Sequence, residues 1–259
     1  LQSSLSQYNS YMKTATISGE KTQSEMVTRV GKRIAAATEK YLNEHGLSSE
    51  VKNFSWEFNL VKNDEINAFC MPGGKIVVYE GLMKIVNSDA ELAVVLGHEV
   101  AHAVAKHSNE RMSQQILAQY GAQAVSLATS GSSAATQAIA SQVYGLGANY
   151  GVMLPYSRKH EAEADKMGLV LMSLAGYDPS VALNFWKKMS ASSNNNQNDF
   201  FSDHTSDAKR IAAIEKELPA IEKEYASYIA AGKAKPTTHK STSTKKTKTS
   251  KKKKSTHRK

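Results

Sequence analysis

The sequence predicts an α+β fold, mostly helical, with one small sheet. Three observations point there. Apolar residues recur at helical spacing over long stretches on either side of residues 54–79. Within 54–79 the pattern changes to short alternating or β-branched runs. Turn chemistry, Asn63-Asp-Glu and then Pro72-Gly-Gly, separates those runs. Strands gathered in one part of a chain and followed by helices form a sheet with helices packed on it.

Residues 1–21 are polar with scattered apolar positions and read as an N-terminal arm or loose helix. Thr22 and Glu25 match a capping box, which predicts an amphipathic helix through Met26, Val30, Ile34 and Tyr41, ending near His45-Gly46. His45 then stands in the last turn, where the helix dipole favours it. Phe54–Val61 alternates and predicts a first strand, Ile66–Met71 a second and Lys75–Tyr79 a third. Gly81 to Val86 predicts a short helix.

Ser88 and Glu91 form another capping box, opening a helix with Leu92, Val95 and Leu96 on its apolar stripe. That helix carries His98-Glu99-Val-Ala-His102. Histidines four apart lie one above the other on one helix face. Two imidazoles so placed can hold one zinc ion and leave a coordination position open. Glu99 is one residue on, where its carboxylate can serve a water as general base. Two surface histidines beside a glutamate would be the plain alternative, but the helix is apolar on both sides of the motif.

From Ser113 to Tyr156 no residue is charged, and Gly131-Ser-Ser marks a midpoint. This predicts a hairpin of two small-residue helices, buried among neighbours or touching a membrane or partner. Ser157 opens the next helix, to Gly176, with Glu161 and Asp165 one turn apart on one face. With His98 and His102 in place, Glu161 becomes the natural third zinc ligand, and a carboxylate at Asp165 suits the orienting of a ligand imidazole. Glu163 points elsewhere and reads as exposed, and His160 as a rim residue. Asp178-Pro179 starts a helix from Val181 to Met189. Ser190 to Asp199 is an Asn-rich loop, His204 stands in a loop, and a final helix runs to about Ala231.

Composition sets bounds. The 259 residues suffice for one full core. No apolar run approaches the roughly 20 residues that span a bilayer. The single cysteine, Cys70, rules out an intrachain disulfide and reads as a small strand residue. The net charge of +9 is concentrated after Gly232, where 12 Lys and Arg stand with no acid; without them 21 basic residues face 24 acidic ones, a net of −3. Residues 232–259 therefore read as a disordered Lys-rich tail able to contact an anionic surface, whether membrane, cell wall or nucleic acid. The domain itself is expected over 22–231. A start at Leu1 predicts a processed product whose signal or lipid anchor has been removed.

Taken together these residues resemble the gluzincin group of HtpX-like heat-shock proteases, CAAX prenyl endopeptidases, OMA-type mitochondrial proteases and BepA-like periplasmic proteases. The likeness covers about Thr22 to Leu218. It rests on Asn67-Ala-Phe before Pro72-Gly-Gly, on His98-Glu-Val-Ala-His102, on Ser157-Arg-x-x-Glu161-x-x-Ala-Asp165, and on His204 followed by Arg210. Metzincins are disfavoured, since Ala105 occupies their glycine position and His107 falls one residue short of their third ligand. The multi-spanning helices of the first two groups are missing, so the soluble, envelope-located members are nearest.

The resemblance implies a gluzincin-type domain with its sheet on the zinc-binding helix, and an exported, periplasmic or envelope-associated endopeptidase with protein or peptide substrates. It implies zinc on His98, His102 and Glu161, Glu99 as base, and Asp165 behind His98. An edge strand at Asn67, Ala68 and Phe69 would pair with extended peptide. His204 or Arg210 is a candidate oxyanion donor, and His204 alternatively a ligand that plugs the zinc at rest. The rival reading is a zinc-stabilised binding or chaperone module without turnover, tethered by its tail.

Overall fold

The computed structural model describes residues 2–107, 130, 133, 134, 136, 156–192, 200–205 and 208–234. Most of the expected small-residue hairpin, of the Asn-rich loop and of the basic tail lies outside them.

The elements are helices α1 (Gln2–Thr14), α2 (Lys21–Glu44) and α3 (Ser48–Val51), strands β1 (Glu57–Val61), β2 (Ala68–Met71) and β3 (Lys75–Tyr79), then helices α4 (Glu80–Met83), α5 (Asp89–Val104), α6 (Arg158–Leu174), α7 (Val181–Ser192), α8 (Phe200–Asp203), α9 (Ala208–Glu224) and α10 (Ala226–Lys233). It is an α+β arrangement, mostly helical, around a three-stranded sheet of order β1-β3-β2.

Strand β3 is central and buried along its whole length, as the β-branched run Ile76-Val-Val requires. It pairs parallel to β1 (Glu57 with Lys75, Val61 with Tyr79) and antiparallel to β2 (Ala68 with Val78, Met71 with Lys75). The β2–β3 turn needs left-handed backbone, supplied by Gly73 (φ 95°) and Gly74 (φ 80°). One sheet face packs Leu60, Ala68, Cys70, Ile76 and Val78 into the main core with Val30 and Ile34 of α2 and Leu92, Val95 and Leu96 of α5. The other face holds Val61, Val77 and Tyr79, against Tyr8, Tyr11 and Met12 of α1. The outer edge of β1 is closed by residues 16–18: Ser18 N–H donates to Leu60 O (2.9 Å) and Lys62 N–H to Thr16 O (2.8 Å). β2 forms the opposite edge of the sheet.

Several local expectations need correction. Helix α2 starts at Lys21, after Glu20, with no side-chain cap; Thr22 is already helical, and Ser18 Oγ accepts from Glu20 N–H instead. The first two strands are shorter than the expected runs: β1 begins at Glu57 and β2 at Ala68, with Ser55 N–H on Gly73 O (2.8 Å) and Tyr79 N–H on Asn67 O (3.1 Å) just before them. The last helix is two helices, α9 and α10, parted at Tyr225. At α5, Ser88 Oγ accepts from Glu91 N–H (3.2 Å) as expected, while Glu91 Oε2 reaches one residue further back, to Asn87 N–H (2.7 Å).

Candidate metal centre

Helices α5 and α6 carry most of the site. They cross where two glycines meet: a Cβ on Gly97 would stand 2.8 Å from Gly168 O, and one on Gly168 2.9 Å from His98 N. This close approach sets the Glu161 and Asp165 face of α6 against the His98 and His102 face of α5. His204 arrives from the end of α8, its N–H bonded to Phe200 O (3.1 Å) and its ring stacked on Phe200 (4.1 Å, 10°).

His98, His102, Glu161 and His204 are all buried, and each turns one ligand atom to a common centre. His98 Nε2 lies 3.1 Å from His102 Nε2 and 3.2 Å from His204 Nδ1. Glu161 Oε1 lies 3.2 Å from His102 Nε2 and 2.9 Å from His204 Nδ1. Around an ion with ligand bonds of about 2.0–2.2 Å, tetrahedral corners are about 3.3–3.6 Å apart. The observed edges are close to that, with slight contraction. Three nitrogens and one carboxylate oxygen are a zinc donor set. Charge agrees: Glu99, Glu161 and Asp165 face one guanidinium, Arg210, with all four groups buried. Buried carboxyl groups thus outnumber the guanidinium, as a cation site requires.

Electrostatics prepare the ligands. Burial alone would raise Glu161, but His98, His102 and His204 hold its carboxyl far below the usual range, so it is ionised. Burial pushes His102 well down and keeps it neutral. Asp165 is also held low, against its burial, by Arg210 and His98. Its Oδ1 is 3.0 Å from His98 Nδ1, on the far side of the ring from the shared centre. Arg210 backs it with Nε on Asp165 Oδ2 (2.5 Å) and Nη2 on Oδ1 (2.8 Å), while Nη1 is 2.8 Å from Glu161 Oε2. Trp186 lies under the guanidinium, 4.7 Å away.

Glu99 is buried beside this group. The backbone N–H of Cys70, on β2, donates to its carboxylate, while burial raises its pKa. Its Oε1 accepts no hydrogen bond among the described residues and is 3.4 Å from His204 Nε2.

The structure thus brings Glu99, Glu161, Asp165, His204 and Arg210 to the two motif histidines. Arg210 differs from its expected role as oxyanion donor, since its guanidinium is committed to two carboxylates. His160 is not at the rim: it is 8% exposed and stacked on His107. Ala68 and Phe69 open the edge strand β2 and Asn67 directly precedes it, its Oδ1 accepting from Ala68 N–H (2.8 Å). Sequence reasoning overlooked Tyr156, whose ring lies 4.2 Å from His102, and His107, which touches the same imidazole. A histidine five residues after His102 was a visible signal for the latter.

Comparison with known proteins agrees with this geometry. The chain is similar to the mitochondrial metalloendopeptidase OMA1 of Schizosaccharomyces pombe, with 37% identity over 195 residues, 74% of this chain and 52% of that protein. It is similar to the Arabidopsis thaliana protein of the same name, with 37% identity over 172 residues, 64% of this chain and 32% of that one. To the β-barrel assembly-enhancing protease of Escherichia coli it is 30% identical over 161 residues, 58% of this chain and 32% of that one. The chain therefore spans about half or less of these relatives. A sequence model of peptidase family M48 matches residues 27–218, a stretch that holds every donor described above, and the chain belongs to that family.

Proposed function

We propose that this protein is a zinc-dependent endopeptidase acting on extended or misfolded proteins. The observation that carries the reading is Glu99, an enclosed carboxylate next to a ligand histidine, with an oxygen left without a hydrogen-bond donor among the described residues. A site built only to hold structure needs no such group.

His98, His102 and Glu161 would hold the zinc. Bound there, it would act as a Lewis acid, polarising the scissile carbonyl and acidifying the attacking water. Glu99 takes the proton from that water and delivers it to the leaving amine. Cys70 N–H fixes the carboxylate so that Oε1 faces the site. Asp165 holds the His98 ring through Nδ1, and Arg210 holds Asp165 and Glu161 in turn. Substrate would add as a strand along β2 at Asn67, Ala68 and Phe69, the edge opposite the one residues 16–18 close. His204 contributes the fourth donor and closes the site at rest.

A closed set of four ligands also supports the rival, a zinc-stabilised binding or chaperone module. Zinc content and casein cleavage, with and without chelator, separate the two for wild type and Glu99→Gln. The endopeptidase reading expects zinc in both proteins and chelator-sensitive cleavage in wild type, reduced about 10²–10⁴-fold in the variant. Equal cleavage by both would remove Glu99 as base.

An exported, envelope-associated or periplasmic location is proposed as well, supported by the likeness to the Escherichia coli β-barrel assembly-enhancing protease. Two OMA1 relatives are named mitochondrial, so cell fractionation is the deciding measurement. For residues 232–259 a tether to an anionic surface is proposed on charge alone. Deleting the chain after Gly232 should leave cleavage of a short peptide unchanged and remove salt-sensitive binding to anionic vesicles or polymers.

A further inference from the structure

His107 has no part in the mechanism above, yet the chain is bent to place it. Lys106, just past α5, has φ 59°, the one left-handed non-glycine backbone among the described residues. A lysine there is strained, and strain of this kind persists where surrounding structure enforces it. The reversal folds the His107 ring back onto the last turn of α5, where it is 2% exposed. His107 Nδ1 lies 2.9 Å from His102 Nδ1, and His107 Nε2 lies 3.1 Å from Glu163 Oε2. His160 stacks on the His107 ring at 4.3 Å and 21°, holding its plane.

The protons along this line follow from one choice. His102 presents Nε2 to the common centre, so as a neutral ligand it carries its proton on Nδ1. That N–H must donate, and His107 Nδ1 must accept it. A neutral His107 then keeps its proton on Nε2 and donates to the Glu163 carboxylate. Each nitrogen has one role, and the chain of donors ends on a side chain 49% exposed to solvent.

We propose that His107 and Glu163 are positioning residues for the metal: together they fix the tautomer and ring direction of His102. They are the counterpart of Asp165 and Arg210 behind His98, with an imidazole interposed between ligand and carboxylate. This rests on the zinc reading of the site. Glu163 lies two residues after Glu161, so α6 supplies a ligand on one face and an anchor for the opposite ligand's support on another. Partners of this kind alter metal affinity about 10–100-fold when removed.

The test is zinc affinity of the full chain, by competition with a chromophoric chelator, for wild type, His107→Leu, His107→Asn, Glu163→Ala and the double variant His107→Leu/Glu163→Ala. Folding is checked by circular dichroism. His107→Leu should weaken zinc about 10–100-fold. His107→Asn should recover most of the loss, because its Oδ1 can accept where Nδ1 did. Glu163→Ala should cost several-fold alone and nothing further in the His107→Leu background, a non-additivity that simple loss of packing would not produce. Unchanged affinity in His107→Leu, no rescue by asparagine, or an equal cost of Glu163→Ala in both backgrounds would overturn the relay. If His107→Leu does not fold, Glu163→Ala decides alone: a several-fold loss supports the relay and unchanged affinity removes it. Absence of zinc binding in wild type would instead remove the zinc reading, and the relay with it.

Discussion

Gly97 and Gly168 touch backbone to backbone, and every metal donor from α5 and α6 is placed by that contact. Neither glycine has left-handed backbone, so what each position requires is the missing side chain. Gly97 directly precedes His98, and Gly168 follows Asp165 by one turn.

Gly97→Ala and Gly168→Ala should therefore each push the two helices apart. Overpacking of this kind costs about 1–3 kcal/mol. The expected result is a lower thermal midpoint together with weaker zinc retention, because Glu161 and Asp165 move away from His98 and His102. Gly19→Ala, where a Cβ would meet nothing within 4 Å, is the control. Wild-type stability and zinc content in both helix variants would show that the crossing tolerates a methyl group.

His204 separates two roles by sign. As a fourth donor that closes the site, its replacement by alanine should raise basal cleavage of an unfolded substrate or promote self-cleavage. A zinc-loaded His204→Ala protein with lower turnover and no self-cleavage would make it a transition-state donor instead.

Arg210 neutralises two buried carboxylates at once. Arg210→Met fills similar space but leaves Asp165 and Glu161 without their cation, and breaking a buried pair in this way costs about 3–5 kcal/mol. Unfolding in denaturant should show a loss of that size, with weaker zinc binding. Arg210→Lys should recover little of it, since one ammonium cannot reproduce contacts made by Nε, Nη1 and Nη2. Full recovery by lysine would show that charge alone matters.

At the sheet, Lys75 Nζ binds Glu57 Oε1 (2.6 Å), and this bond holds the Glu57 carboxyl below its ordinary value of 4.5. A depressed carboxyl stabilises the fold above its unfolded value and loses that contribution as pH falls through the folded one. Wild type should thus lose more of its thermal midpoint than Glu57→Gln when pH is lowered below 4.5. Parallel curves for the two proteins would show that the pair contributes nothing. Glu57 is half exposed, so the difference should be a fraction of a full pair.

What the sequence made legible was mostly periodic or chemical. β3 falls at Lys75–Tyr79 as its β-branched run predicts, and α5 begins at its Ser88 cap. Glu161 and Asp165 share a face because helical spacing puts them there. What escaped depends on tertiary contact. The start of α2 escaped because the preceding backbone, with Ser18 against Glu20, settles it rather than the best-looking cap. The crossing at Gly97 and Gly168 escaped because a glycine in a helical pattern does not say what approaches it. Arg210 was misassigned because a lone arginine after a histidine does not reveal that two carboxylates already claim it. His107 had a spacing but no visible partner until Glu163 and His160 met it in space.

The donor set also has a polymer consequence. His98 and His204 are 106 residues apart along the chain, and Glu161 and His204 are 43 apart. An ion held by all of them is a cross-link that ties three distant stretches at one point. The entropy of closing such loops rises only slowly with length, so most of the gain is already present in the shorter one. Metal that binds the folded chain and not the unfolded one adds its free energy to stability. Chelation should therefore act as cutting a knot does, loosening the His204 segment and α9 from the α5–α6 layer. Limited proteolysis should then find new cuts after residue 200 in the chelated protein before it finds any in β3.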